Sequence, residues 1–364
     1  MSDLKSQPVR EALLFPSTLP HDHAAENGRC SGRVEFGSEF SRINMNVNTQ
    51  WFAPNTSSRT SLRGSHVARI GVGHALIDNC SSAQVCASII SHARGRGKPA
   101  YVITPNAQHI VLLEKERRLQ EVYDHADLVV PDGISILMAA RLYGRSLRQR
   151  ITGVDLFKTL CGQAVEADLH VFLMGGRPGS AEKAAKALRR EHPNLRCSFY
   201  CPPLGFDKSA MGLRRAADAI VAAQPDILFV GLGAPKQEYW IHEHGLRLGV
   251  PVCIGVGGSF EIIGGVVPRA PKWTQNIGCE WLYRLCREPR RMWRRYLIGN
   301  LEFGSIILRQ LVRRSVLDAF MHFVNEDRFA AELTELTLMQ NERPLENRHS
   351  ITAHDVESLS TPTI

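Results

Sequence analysis

The 364-residue sequence has no Cys-x-x-Cys pair; its nine cysteines are scattered, several inside apolar runs such as PVCIGVGG around Cys253. That argues against a structural zinc site and for small core residues in a reducing compartment. His-Glu-x-x-His is absent, and His74, His109, His170 and the His242/His244 pair show no metal-ligand spacing; they read as structural. No Asp-x-Asp pair marks a metal-chelating sugar-nucleotide site, and no metal is expected. The Gly-x-Gly-x-x-Gly fingerprint and the phosphate-loop Gly-Lys-Ser/Thr are both missing, which disfavours a nicotinamide oxidoreductase and a P-loop nucleotidase. Residues 1–30 hold no continuous apolar segment, so no signal peptide is expected. Without an 18-residue uncharged apolar run, no transmembrane helix is expected either.

What the chain does have is basic charge, a net +8 at pH 7. Phosphates, a nucleic acid or an anionic membrane are therefore the expected partners. Residues 1–66 are rich in Ser, Asn, Pro, Arg and His without periodicity and read as a disordered extension. From 67 to 270 apolar runs alternate with helical patterns. RIGVGHALID (69–78) reads as a strand or hairpin, and SSAQVCASIISHARGRG (81–97) as a helix capped by Ser81 or Ser82. AYVITPN (100–106) is a strand, and 107–126 a single helix. DLVVPDG (127–133) is a strand and turn. Helices at 153–168, 180–192, 212–224 and 234–249 alternate with strands at 170–176, 197–201, 226–233 and 251–258. Strands alternating with helices imply an α/β fold with a mostly parallel sheet, and strands buried on both faces read as continuous apolar runs. Residues 271–324 form a basic amphipathic appendage: 280–314 carries nine Arg against three acids, with Trp281, Tyr283, Trp293 and Tyr296 interleaved. Such a helix suits an anionic membrane surface. Residues 325–364 are a polar tail.

The candidate chemistry lies where strands end. Asp132, in Pro-Asp-Gly between a strand and a helix, is placed either to act as a base or to cap the helix. Thr104 and Asn106 can hold Asp132 or an acceptor hydroxyl, or simply make a turn. The turns GGRPGS (Gly175, Gly176, Gly179, Ser180) and GLGAPKQE (Gly231, Gly233) let backbone approach a ligand, with helix N-termini behind them to meet phosphate; ordinary strand-to-helix turns would look the same. Lys236 can pair with phosphate and Gln237 can bind a sugar or base, or with Glu238 they open an exposed helix. Arg150 can approach a diphosphate or stay solvated. Arg284, Arg287, Arg290, Arg291, Arg294 and Arg295 can neutralise a leaving diphosphate, attract lipid, or do both.

Seven segments, in order, resemble the WecG/TagA/CpsF glycosyltransferases (family 26): TPNAQHIVLLEKE, ADLVVPDGISI, QRITGVDL, VFLMGGRPGSAEKA, FVGLGAPKQEYWI, GVGGSFEIIGGVVPRAPKW and CEWLYRLCREPRRMWRRY. The resemblance spans roughly 69–300. It implies a Rossmann-like core and inverting transfer of a sugar from a UDP-sugar to a polyprenyl-diphosphate-linked saccharide, without metal or other cofactor. The place would be the inner face of the cell membrane, with the protein peripheral. It further implies Asp132 as the base, Thr104, Asn106 and Gln237 in the site, and Arg284, Arg291 and Arg294 on an appendage that closes it. Self-association that covers the appendage is a further expectation. A nucleic-acid partner is not expected, because the basic residues cluster in one amphipathic tail rather than along a groove.

Overall fold

The computed structural model describes Leu62 and residues 67–316. The expectations for 1–66 (Leu62 aside), 317–324 and the tail 325–364 lie outside the described residues. The chain opens with an antiparallel hairpin, β1 (Arg69–Val72) and β2 (Ala75–Asp78). Its two-residue turn places Gly73 at φ 58°, a conformation glycine adopts freely. Helix α1 (Ser82–Gly95) begins at a capping box, in which the Ser81 hydroxyl and the Gln84 side chain exchange bonds with each other's backbone.

A six-stranded parallel sheet follows. Its strands are β3 (Ala100–Ile103), β4 (Leu128–Val129), β5 (Val171–Gly175), β6 (Cys197–Tyr200), β7 (Ile227–Gly231) and β8 (Val252–Gly255), in the order β4-β3-β8-β7-β5-β6. Every residue of β3, β4, β5, β7 and β8 is buried, as their apolar runs require. The intervening helices are α2 (Ala107–Lys115), α3 (Arg117–Asp124), α4 (Ile134–Leu142), α5 (Gly153–Glu166), α6 (Ser180–Glu191), α7 (Ala210–Ala223), α8 (Lys236–Glu243) and α9 (Ser259–Ile263). One face of the sheet packs on Val85, Ile89, Leu160, Leu188 and a ring cluster of Phe157, Phe229 and Phe260. The other face packs on Ile70, Val72, Ile110, Leu119, Ile136 and Trp240.

Three boundaries differ from the sequence reading. The helix expected over 107–126 breaks at Glu116 (φ −122°, ψ 97°), which ends α2 and starts α3. The break turns Leu119, Val122 and Tyr123 into the core, while Glu116 receives the Tyr239 hydroxyl. The helix expected to run to 249 stops at Glu243, and a 3-10 turn covers Gly245–Leu248. The basic appendage is not one helix. It runs as α10 (Lys272–Asn276), α11 (Glu280–Arg287), α12 (Pro289–Trp293), a π turn over Arg294–Ile298 and a helix over 299–316. Pro289, which has no N–H to continue α11, starts α12 instead.

The last helix is part of the core. Phe303, Ile306 and Ile307 are buried with the hairpin and α2. The Gln310 side chain accepts from the Gly73 N–H at 2.9 Å and the Tyr143 hydroxyl at 2.7 Å. No described helix is long and apolar enough to cross a membrane.

Candidate active site

Parallel strands present all their carboxyl ends on one side, and there the turns after β3, β4, β5, β7 and β8 surround a cleft of about 540 Å³. Thr104, Asn106, Asp132, Gly176, Gly231, Gly233, Lys236, Gln237 and Arg284 all line it. Residues about 180 apart in sequence thus meet at one place, the crevice where open parallel sheets take ligands.

Asp132 sits beside the first turn: its N–H donates to Pro105 O at 2.9 Å, and the next segment is pinned by Ile151 N–H to Pro131 O at 2.8 Å. It does not cap α4; that position belongs to Gly133, and no side chain bonds the cap. Among the described residues no protein donor hydrogen-bonds its carboxylate. The residue lines the cleft and is only partly exposed, so that protein surrounds much of the carboxyl group. Burial, and then the Glu280 carboxylate, raise its pKa to about 6, against the opposing pull of Arg284, His109 and Arg150. Such a group is ionised at neutral pH and more basic than a surface aspartate.

The neighbouring polar side chains are engaged with the protein. Thr104 donates its hydroxyl to Gly255 O at 3.0 Å, tying β3 to β8 and leaving its lone pairs as acceptors. Asn106 caps α2 by accepting from the Gln108 N–H at 3.0 Å. Gln237 was expected on an exposed helix start or against a ligand. The start is not exposed: Gln237 is 2% exposed in the cleft wall and staples two turns together. Its Oε1 accepts from Gly233 N–H at 3.2 Å and Gly257 N–H at 2.9 Å, and its Nε2 donates to Glu238 at 2.8 Å. Glu238 is completely buried behind it. Glycine is required around this staple: a Cβ at Gly255 would come within 2.7 Å of the Gln237 amide.

Gly175 precedes the cleft at the end of β5. At Gly176 (φ 81°) a Cβ would meet Ser180 Oγ at 2.2 Å, so the turn takes only glycine without rearranging. Lys236 is exposed, 4.0 Å from Asp207 across the mouth. Arg150 lies near Asp132 without lining the cleft. Arg284 reaches in from α11 and pairs with Glu280 at 2.8 Å. Arg294 lies outside the cleft, 5.3 Å over the Trp293 ring, and the side chain of Arg291 is not among those described.

Several lining residues were not singled out from the sequence. His109, taken as structural, lies in the wall. Its Nδ1 accepts from the Asn106 N–H at 3.2 Å, and its Nε2 lies 3.4 Å from Glu238. Glu261 is buried and accepts from the Arg177 N–H at 2.8 Å, which shapes the turn after β5. Arg177 also reaches Glu288 at 3.2 Å, linking that turn to the appendage. Among the described residues no group of three or more His, Cys, Asp or Glu could hold a metal.

This arrangement defines the class. The chain is a Rossmann-like α/β protein with a ligand crevice at the carboxyl edge of its sheet, walled on one side by a C-terminal helix. Residues 70–316 match the glycosyl transferase WecG/TagA/CpsF family, and the chain belongs to that family. It is 34% identical over 214 residues to the N-acetylglucosaminyldiphosphoundecaprenol N-acetyl-β-D-mannosaminyltransferase of Bacillus spizizenii strain W23, covering 58% of this chain and 81% of that one. It is also 34% identical over 198 residues to the enzyme of the same name from Bacillus subtilis strain 168, covering 54% and 75%.

Proposed function

We propose that this glycosyltransferase moves a sugar from a UDP-sugar to a polyprenyl-diphosphate-linked saccharide with inversion, and that Asp132 is its general base. The observation that carries the reading is the Asp132 carboxylate: uncapped, without a protein donor, facing the cleft, and raised to about 6. In one step the acceptor hydroxyl oxygen bonds to the anomeric carbon, its proton passes to Asp132, and the bond to UDP breaks with its electron pair leaving on the phosphate oxygen. Negative charge then grows on the leaving diphosphate, and the Arg284 guanidinium stands in the same cleft to stabilise it. Arg287 and Lys236 add charge at the rim. Thr104 and Asn106 shape the acceptor side, and Gln237 and Glu238 hold the turns. The reaction as proposed uses no resident metal; protein cations take that part.

The names of the two relatives support a diphosphoundecaprenol-linked N-acetylglucosamine as acceptor and N-acetylmannosamine as the first donor sugar to test. A lipid-linked acceptor also supports peripheral attachment at the cytoplasmic face of the membrane. Trp273 and Leu301 are 66% and 77% exposed on the appendage, where Trp293, Leu297, Arg290 and Arg294 are also open to solvent, a mixture suited to an anionic lipid surface. The test is UDP release from a panel of UDP-sugars with a lipid-diphosphate acceptor, comparing wild type with Asp132→Asn. Acceptor-dependent release that falls by about 10²–10⁴-fold in the variant is expected. Unchanged release would remove Asp132 from the role of base.

A further inference from the structure

The appendage brings to the cleft a carboxylate as well as cations. Glu280 opens α11 and lines the same cleft as Asp132. One turn later Arg284 donates to Glu280 Oε1 at 2.8 Å; the Glu280 side chain is largely shielded from water, and that of Arg284 is 37% exposed. Spacing of four residues puts the two on one helix face, so the pair is set by α11 itself and arrives as a unit. On the core side, Asp132 belongs to the turn after β4. The titratable and charged groups that face it are Glu280 and Arg284 from α11, His109 from α2, and Arg150 from the segment before α5.

We propose that Glu280 is a positioning residue of the transfer reaction: it holds the Arg284 guanidinium in the cleft and sets a second negative charge opposite Asp132, so that docking of α11 and readiness of the base are one event. The inference rests on Asp132 being the base. Two functions follow from one side chain. A guanidinium has five donors in a planar fork, so Arg284 can keep Glu280 on one edge and present the other to a diphosphate. A like charge close to a carboxylate disfavours its ionised form and makes it a stronger proton acceptor. Arg284 acts on Asp132 with the opposite sign. The core alone, without α11, would present an aspartate lacking its Glu280 neighbour and a leaving group without the Arg284 cation.

The opposed signs make the test. The pH dependence of UDP release is measured in single-turnover reactions with the full chain for wild type, Glu280→Gln, Glu280→Asp, Arg284→Gln and Asp132→Asn, with thermal midpoints alongside. Loss of the Glu280 charge moves the acidic limb to lower pH by roughly half a unit or more, and loss of the Arg284 charge moves it to higher pH. The Glu280→Gln plateau falls about tenfold, as a weaker base and a looser guanidinium require. Glu280→Asp keeps the charge, so its limb stays near that of wild type while its plateau drops. A Glu280→Gln limb that stays in place, or that moves the same way as in Arg284→Gln, overturns the proposal, because a merely structural disturbance of α11 has no reason to act with opposite signs. If instead the acidic limb persists in the residual activity of Asp132→Asn, the base assignment itself fails, and the two failures are told apart.

Discussion

Replacing Gln237 with leucine, close to it in volume, removes three hydrogen bonds without opening a large cavity. The two backbone N–H groups of Gly233 and Gly257 lose their acceptor, and the buried Glu238 loses the donor at 2.8 Å. A buried N–H left unsatisfied costs about 1–3 kcal/mol, and a bond to a charged group contributes about 1.5–3 kcal/mol. Because the three share one side chain they do not add fully, and a loss of about 3–5 kcal/mol is expected. For a domain of this size about 1 kcal/mol shifts the unfolding midpoint by roughly 2–4 °C, so the variant should melt about 6–20 °C lower. Differential scanning fluorimetry gives the midpoint, and UDP release gives kcat and KM. With the turns after β7 and β8 no longer joined, kcat should fall along with stability. A midpoint within about 2 °C of wild type, accompanied only by a higher KM for the donor, would refute this account and make the amide a ligand contact.

Two further outcomes follow from the geometry. Wild-type activity should fall about tenfold per unit as pH drops below about 6, because the base must be ionised to take a proton and its pKa is raised to about 6; a profile flat down to pH 4 would contradict that environment. Phe303→Ala should destabilise the whole domain by about 3–5 kcal/mol, as other buried Phe truncations do, since Phe303 packs into the core from the last helix. Denaturant unfolding checks it, and a change below about 1 kcal/mol would mean the helix is dispensable to the fold.

The parallel sheet was legible because strands covered on both faces must be apolar throughout, as YVI, VFLM, ILFV and VCI are. The cleft was legible because glycines and a lone aspartate at strand ends have few uses other than tight turns and ligands. The burial of Gln237 was not legible, because it depends on Gly257, twenty residues away, folding over it; nothing within KQE records that. Glu261 left a faint trace, an acid inside the apolar, glycine-bracketed run GSFEIIGG, and His109 another, three residues after a helix-capping asparagine. Glu280 could be paired with Arg284 from spacing alone, but its approach to Asp132 is tertiary. The break at Glu116 was invisible because the apolar period continues across it, and only the packing of α3 and the Tyr239 contact reveal the turn.

The docking of 299–316 changes what kind of object the basic segment is. Arg269 is bound to Asp155 at 2.7 Å before it, and Phe303, Gln310 and the Lys115–Glu302 pair at 2.7 Å hold the chain after it. About thirty residues carrying the arginines are therefore a loop closed at both ends. The entropy of closing such a loop grows only with the logarithm of its length, so the segment is confined near the cleft at little cost. Its helices meet the site at an effective concentration set by the loop, independent of how much protein is present. A membrane that engages the exposed Trp273 and Leu301 would need only to orient a segment already held at the cleft, without first having to recruit it.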